Sequence, residues 1–282
     1  MNKKVTAVIL DWAGTTVDYG CFAPVNAFIK AFEAFGLTPT MDETRAPMGM
    51  EKRAHVAKML EGKRLSALWL EKHGRSQSKE DIDNIYGKFE PALFETLHDY
   101  TDPIPGVLDT VHKLREMGIS IGSTTGYTIE MMDIVESCAM EKGYNPDCLI
   151  CPEHVGSGRP YPYMIWRNLE KLRIMDVRNV VKVGDTAADM EEGKNAGCIC
   201  VGVLKGSSML GLSERELEET PQIEVDRFFA EATSKYTDAG ADYVINDISA
   251  LPNLIESINM TIEQRIKAKE QYLNYKGAKN HA

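Results

Sequence analysis

The chain has 282 residues, room for one large domain or two ordinary ones, and its 43% hydrophobic and 26% charged residues predict a sizeable core. A net charge of −10 argues against non-specific binding to nucleic acid or to an anionic membrane surface, while leaving a local basic pocket open. The longest apolar runs are strand-sized, far short of the ~20 residues of a membrane span. The short run after Lys3 and Lys4 leads into Asp11 rather than a small-residue cleavage site, so the chain reads as a cytoplasmic protein without a leader.

In chain order, the first predicted strand is Val5–Asp11, β-branched and apolar until it ends in Asp11, with Gly14, Thr15 and Thr16 following. In an open α/β sheet the chemistry sits outside the carboxyl ends of the strands. This layout aims a carboxylate into a crevice, and the loop after it is expected to offer N–H groups to an anion. From about Phe22 to Tyr100 the signals are helical, as in APVNAFIKAFEAFG with Gly36 as its C-cap, and Pro91 predicts a bend or break. Further strands are predicted at Ile119–Thr124, Cys148–Cys151, Val180–Val183, Ile199–Val203 and Tyr243–Ile245. Helical patterns at Gly106–Met117, Thr128–Met140, Tyr161–Leu172 and Asp189–Ala196 lie between them.

Alternating strands and helices, with strands apolar throughout, predict an α/β fold whose parallel sheet is covered on both faces. The interval 21–100 then reads as a helical domain inserted after the first strand, and residues 1–20 and 101–282 as the core. The crossings fall near Tyr19–Ala23 and Tyr100–Gly106, the second rich in Pro and Gly, an arrangement that suggests a hinged lid. The tail IEQRIKAKEQYLNYKGAKNHA reads as a solvent-facing helix with a frayed end.

There are six cysteines, of which Cys148 and Cys151 form a C-x2-C pair and Cys198 and Cys200 a C-x-C pair. Both pairs lie in apolar strand-like runs without knuckle turns, so buried, reduced thiols are expected rather than a zinc site.

Three motifs belong with Asp11. STTG (Ser123–Gly126) ends a strand, where a hydroxyl can hold a phosphoryl oxygen or cap a helix. GRPYP places Arg159, a permanent cation with forked donors, before a helix. VVKVGDTAADM ends a strand with Asp185 and Asp189 at i,i+4, a spacing that can put both carboxylates on one helix face. With Asp11 they can form an oxygen-rich magnesium site.

A strand-end Asp, a strand-end Thr, a cation and a paired-acid strand end, in this order, resemble the haloacid dehalogenase superfamily over nearly the whole chain, the helical insert matching its cap and the core its Rossmann-like sheet. In that superfamily the first Asp is a nucleophile that forms an aspartyl-phosphate. Its phosphatases carry a second Asp two residues on, to protonate a leaving alkoxide; here that position is Ala13. A carbon leaving group needs another aid. A lysine that condenses with an aldehyde supplies it, because the iminium accepts the electrons of the breaking bond. Lys52, after the Met48–Gly49 turn, is the candidate.

The runs DWAGTTVDYGCFAP, PMGMEKRAH, TTGYT, GRPYPYMIW and GDTAADMEEGKNAG resemble the phosphonoacetaldehyde hydrolase (phosphonatase) family within that superfamily. The resemblance implies Asp11 as nucleophile and Lys52 as Schiff-base lysine. It implies magnesium held by the Asp11 carboxylate, the Ala13 carbonyl and Asp185, with Asp189 supporting directly or through water. Thr125 and Arg159 are expected to hold the phosphonate, and Gly49 to permit close approach of the cap. Met48, His55, Cys21 and Tyr127 are expected to line the closed site, with His55 a proton relay or else an exposed helix residue. The implied reaction cleaves phosphonoacetaldehyde to acetaldehyde and phosphate in 2-aminoethylphosphonate degradation. A homodimer is implied too, through insert helices containing Phe28, Phe32 and Phe35 unless that stripe is internal core. Reactivity requires a depressed Lys52 pKa, expected from burial and from the cations Arg53 and Arg159. The competing readings are a phosphate-ester phosphatase, against which Ala13 weighs; a non-catalytic binding module, against which Asp11, Asp185 and Arg159 weigh; and a dehalogenase, which needs no magnesium acids.

Overall fold

A computed structural model describes residues 4–262 and 264. The terminal helix expected beyond these lies outside the described residues. Six strands, β1 (Ala7–Leu10), β2 (Ser120–Thr124), β3 (Cys148–Ile150), β4 (Val180–Gly184), β5 (Ile199–Val203) and β6 (Tyr243–Ile245), form one sheet in the order β3-β2-β1-β4-β5-β6. Every neighbouring pair is parallel. All six match predicted strands, the first beginning two residues later than predicted. Leu10 is in register with Ser123 of β2 and with Val183 of β4, so Asp11, Thr124 and Gly184 leave the sheet at one level. The chain turns from one side of β1 to the other there, which makes this edge a topological switch point.

Successive side chains of β1 face opposite layers, as the strand period demands. Val8 and Leu10 join the larger core with Leu114, Val135, Leu251 and Ile255, while Ala7 and Ile9 pack with Ile165 and Leu169.

Between β1 and β2 run five helices, α1 (Phe22–Glu33), α2 (Met41–Arg45), α3 (Lys52–Glu61), α4 (Lys63–His73) and α5 (Lys79–Phe94). They have an apolar centre of their own: Phe28 stacks on Phe89 at 4.1 Å and on His55 at 3.9 Å. Phe28 and Phe32 are fully buried and Phe35 packs at the edge of the same core, so this stripe is internal rather than an open dimer face. Of the bend or break expected at Pro91, the break does not occur, since helix α5 continues through it. The proline sits in the last turn, and Gly87, four residues back, is exposed, so water can take the freed carbonyl. The two crossings lie side by side: Val17 pairs with Pro103, and the Ile104 N–H donates to the Thr16 carbonyl at 2.9 Å.

Helices α6 (Val107–Glu116), α7 (Ile129–Glu141), α8 (Tyr163–Lys171) and α9 (Ala187–Ala196) cover the sheet as predicted. Two more, α10 (Glu214–Glu219) and α11 (Gln222–Asp238), occupy an interval for which the sequence reading names no element. Only Val225, Ala232 and Tyr236 of α11 are buried, too few to stand out among its charges. The six cysteines are unbridged.

Candidate active site

Asp11 leaves β1 with its N–H on the Val183 carbonyl (3.0 Å) and its own carbonyl taking the Thr16 hydroxyl (3.0 Å). Its side chain is nearly buried, with Oδ1 2.6 Å from Arg159 Nη2. The loop that follows uses only part of its N–H groups internally. Those of Thr15, Thr16 and Val17 converge on the Trp12 carbonyl, and that of Gly14 goes to Val17. The N–H groups of Trp12 and Ala13 take no partner among the described residues, so these two are left for an anion beside Arg159.

Asp185, just past β4, is fully buried and takes the Ser208 N–H (2.8 Å), the Ser208 hydroxyl (2.6 Å) and the Thr15 hydroxyl (3.3 Å). Burial and the nearby charges of Asp11 and Asp189 hold its carboxyl well above the usual range. Gly14 has φ +88°, and a Cβ there would lie 2.4 Å from Asp185 Oδ2, so only glycine fits beside this carboxylate.

Asp189 has other partners. Its Oδ1 is 2.8 Å from Lys182 Nζ and 3.0 Å from Arg159 Nη2, and its Oδ2 takes the Thr186 hydroxyl. Burial would raise its carboxyl, but the two cations outweigh burial and hold it below the usual range.

Asp11, Asp185 and Asp189 bring ligand oxygens within 4.8 Å of one another. The donor set is all oxygen, which suits a hard divalent cation. Asp185 supplies the reason a cation fits, since no lysine or arginine among the described residues pairs with it. Asp189 is already neutralised and fits a supporting place better than a ligand's.

Arg159 is the hub of a buried network absent from the sequence reading. Its Nε donates to Glu192 (2.9 Å), and its Nη2 to Asp11, the Thr124 carbonyl and the Thr124 hydroxyl (3.0 Å each for Thr124). Lys182 donates to the same hydroxyl at 2.9 Å. Burial opposes the guanidinium charge, but Asp11, Asp189 and Glu192 outweigh it and push its pKa well up. The available signal for Lys182 was a lysine within a strand expected to be buried on both faces.

The insert supplies the opposite wall. Lys52, the first residue of α3, is 4% exposed, and its Nζ sits 4.8 Å above the centre of the Tyr127 ring. Among the described residues the amine forms no hydrogen bond or ion pair. Burial lowers its pKa, and Arg159 pushes the same way against Cys21 and Asp11. Arg53 takes no part: it pairs with Asp83 at 2.6 Å on the surface. Gly49, with φ +88°, would place a Cβ 2.4 Å from Thr186 Oγ1, so insert and core lie close together here.

Asp11, Ala13, Cys21, Met48, Gly49, Lys52, Thr125, Tyr127 and Arg159 surround one cavity of about 20 Å³. Thr125 Oγ1 accepts the Tyr127 N–H at 3.1 Å, leaving its proton for another acceptor. Burial pushes the Cys21 thiol and the Tyr127 phenol up. His55 is not among the lining residues, nor is it exposed. Its ring nitrogen Nε2 donates to the Thr44 carbonyl at 2.9 Å, and burial, then Lys52, lowers its pKa.

A family model described as haloacid dehalogenase-like hydrolase matches residues 5–197, and a second, HAD-hydrolase-like, matches residues 156–251. The chain is 48% identical over 257 residues to a phosphonoacetaldehyde hydrolase of Bacteroides fragilis, covering 91% of this chain and 98% of that one. It is 46% identical over 273 residues to a bifunctional phosphonoacetaldehyde hydrolase/aminoethylphosphonate transaminase of Clostridioides difficile, covering 96% of this chain but only 43% of that longer relative. A crystal structure of a phosphonoacetaldehyde hydrolase-like protein from Oleispira antarctica superposes with a TM-score of 0.89 at 35% identity, covering 92% of this chain and 94% of that one. Matched from strand ends to insert, the chain belongs to the phosphonoacetaldehyde hydrolase family of haloacid dehalogenase-like hydrolases.

Proposed function

We propose that the protein cleaves the carbon–phosphorus bond of phosphonoacetaldehyde with water, giving acetaldehyde and phosphate. The observation that carries this reading is the Lys52 amine, buried without an ion pair, lining the same small cavity as Asp11. Burial favours the neutral amine, which is the form that attacks an aldehyde.

Lys52 adds to the aldehyde and expels water, leaving an iminium. Asp11 has Oδ1 held by Arg159, while Oδ2 takes no hydrogen bond from a described residue and is the oxygen that attacks phosphorus. As the carbon–phosphorus bond breaks, its electron pair moves into the iminium to give an enamine, and the phosphoryl group passes to Asp11. Water then releases phosphate from Asp11. The enamine takes a proton on carbon, and a second water frees acetaldehyde and regenerates the amine. Arg159 and the Thr125 hydroxyl hold the phosphonate oxygens. Asp11, the Ala13 carbonyl and Asp185, with Asp189 supporting, would hold a magnesium ion, which when bound would supply positive charge against the phosphonate and the attacking carboxylate.

A cavity of about 20 Å³ has room for about one water molecule, so substrate enters only if residues 21–100, taken as a cap, swing away from the core of residues 1–20 and 101–282. The name of the Clostridioides difficile relative, which joins the hydrolase to an aminoethylphosphonate transaminase, supports a place in 2-aminoethylphosphonate degradation. Six unbridged cysteines support a reducing, cytoplasmic setting. A homodimer rests on family resemblance and is checked by light scattering.

The test is borohydride reduction in the presence of phosphonoacetaldehyde, followed by peptide mass mapping. A reduced two-carbon adduct on Lys52 is expected. Phosphate release without an adduct would return the protein to the ordinary phosphatases.

A further inference from the structure

Arg45, the last residue of α2, belongs to the insert but bonds to the core. Its Nη1 donates to the carbonyls of Gly20 (2.7 Å) and Ser208 (3.3 Å), and its Nη2 to the carbonyl of Gly211 (3.4 Å). The guanidinium also lies 5.1 Å from the centre of the Phe22 ring. Three carbonyls from two separated segments therefore converge on one side chain. Gly20 is in the first crossing, and Ser208 and Gly211 are in the loop after β5. The two segments also bond directly, through the Gly20 N–H on the Gly206 carbonyl at 2.7 Å.

The far side of the same loop holds the candidate metal site. Ser208 accepts from Arg45 through its carbonyl and gives both its N–H and its hydroxyl to Asp185 Oδ2. On the insert side, Thr44, the neighbour of Arg45, offers its carbonyl to His55 of α3, the helix that begins at Lys52. One bonded path thus runs from the amine-bearing helix through His55, Thr44, Arg45 and Ser208 to Asp185. We infer that Arg45 is a positioning residue that ties the seating of the insert to the orientation of the Asp185 carboxylate, so that Lys52 and the metal-facing acid come into place together. It touches neither substrate nor metal and acts through Ser208.

This rests on the proposed reading of Asp185 as a metal ligand, and the test separates the two. Full-length wild type, Arg45→Ala and Arg45→Lys are compared by hydrogen exchange and by calorimetric titration with magnesium chloride. Losing a charged donor to carbonyls is expected to speed exchange in peptides covering 206–211 about tenfold and to weaken magnesium binding by a similar factor, with the β1 and β4 peptides unchanged. Arg45→Lys, which keeps the charge and one set of donors, is expected to fall between. In turnover, kcat drops in Arg45→Ala while KM for the aldehyde stays within about twofold, since the guanidinium makes no substrate contact. Unchanged loop exchange and magnesium affinity in Arg45→Ala would overturn the inference. Should that variant not fold, Arg45→Gln replaces it, and equality of Gln and Lys variants in both readouts overturns the inference as well. A wild type that releases no phosphate from phosphonoacetaldehyde sinks the functional reading alone, since the exchange and titration arms are read without substrate.

Discussion

The amine of Lys52 sits 4.8 Å above the Tyr127 ring, joining the first residue of an insert helix to the loop that leaves β2. The contact desolvates the amine without neutralising it, because an aromatic face attracts a cation but accepts no proton. The insert and the sheet thus meet at Lys52.

Replacing Lys52 with Met should abolish the borohydride adduct and reduce turnover on the order of 10⁴-fold or more, the scale of losing a covalent catalytic group. It should also stabilise the fold at neutral pH. The folded pKa of Lys52 is depressed by burial, so between that value and about 10.5 the unfolded chain binds more protons and wild-type stability rises with pH. The melting-temperature advantage of Lys52→Met over wild type should therefore shrink as pH is raised toward that of free lysine. An advantage independent of pH would show that the amine is not desolvated in the fold.

Gly49→Ala should impair closure. The added methyl meets Thr186 Oγ1 at 2.4 Å in a left-handed backbone that costs a side chain about 1–2 kcal/mol. Moving the insert outward relieves the clash but withdraws Lys52, and a misplacement of about 1 Å costs roughly 10²-fold in rate. The measurement is kcat together with the rate of adduct formation at Lys52, and both should fall together.

Removing divalent metal with a chelator should stop phosphate release and lower the melting temperature, and magnesium should restore both. At a hundredfold excess over its dissociation constant, a ligand bound only by the folded chain adds about 2.7 kcal/mol. Asp185→Asn should lose this thermal response. Asp189→Asn should retain part of it, because Asp189 is already paired with Lys182 and Arg159.

Lys182→Met should be costly although it touches no substrate. It leaves Asp189 and Glu192, both fully buried, sharing Arg159 alone, and breaking a buried ion pair costs roughly 3–5 kcal/mol. Denaturant unfolding measures the loss. A change below about 1 kcal/mol would mean that the network reorganises around the missing cation.

Much of the site was legible because it is written locally. Asp11, Thr125, Arg159 and Asp185 each sit where a strand ends or a helix is about to begin, and the periodicity that marks those ends lies within a few residues of each. Lys52 and Gly49 became legible through family resemblance, since a lysine in a run of charged residues carries no signal of burial by itself. Lys182, Glu192 and Ser208 were missed because their roles depend on partners distant in the chain: Thr124 lies 58 residues from Lys182, and Asp185 lies 23 from Ser208. His55 shares a helix with Lys52, as the spacing says, yet its ring turns into the stack with Phe28.

By itself the sequence determined the parallel sheet, the helical insert after β1, the strand-end acid and the alanine where a phosphatase carries its second acid. These follow from period, turn chemistry and residue type, which act over one or two turns of chain. Only the tertiary structure decided that Asp189 answers to cations while Asp185 does not, that the turn after Asp11 bonds four of its N–H groups internally and leaves those of Trp12 and Ala13 over, and that Lys52 is buried with no ion pair among the described residues. A carboxylate's charge and an amine's basicity are set by what lies within a few ångströms in space, and segments far apart in sequence supply most of those neighbours.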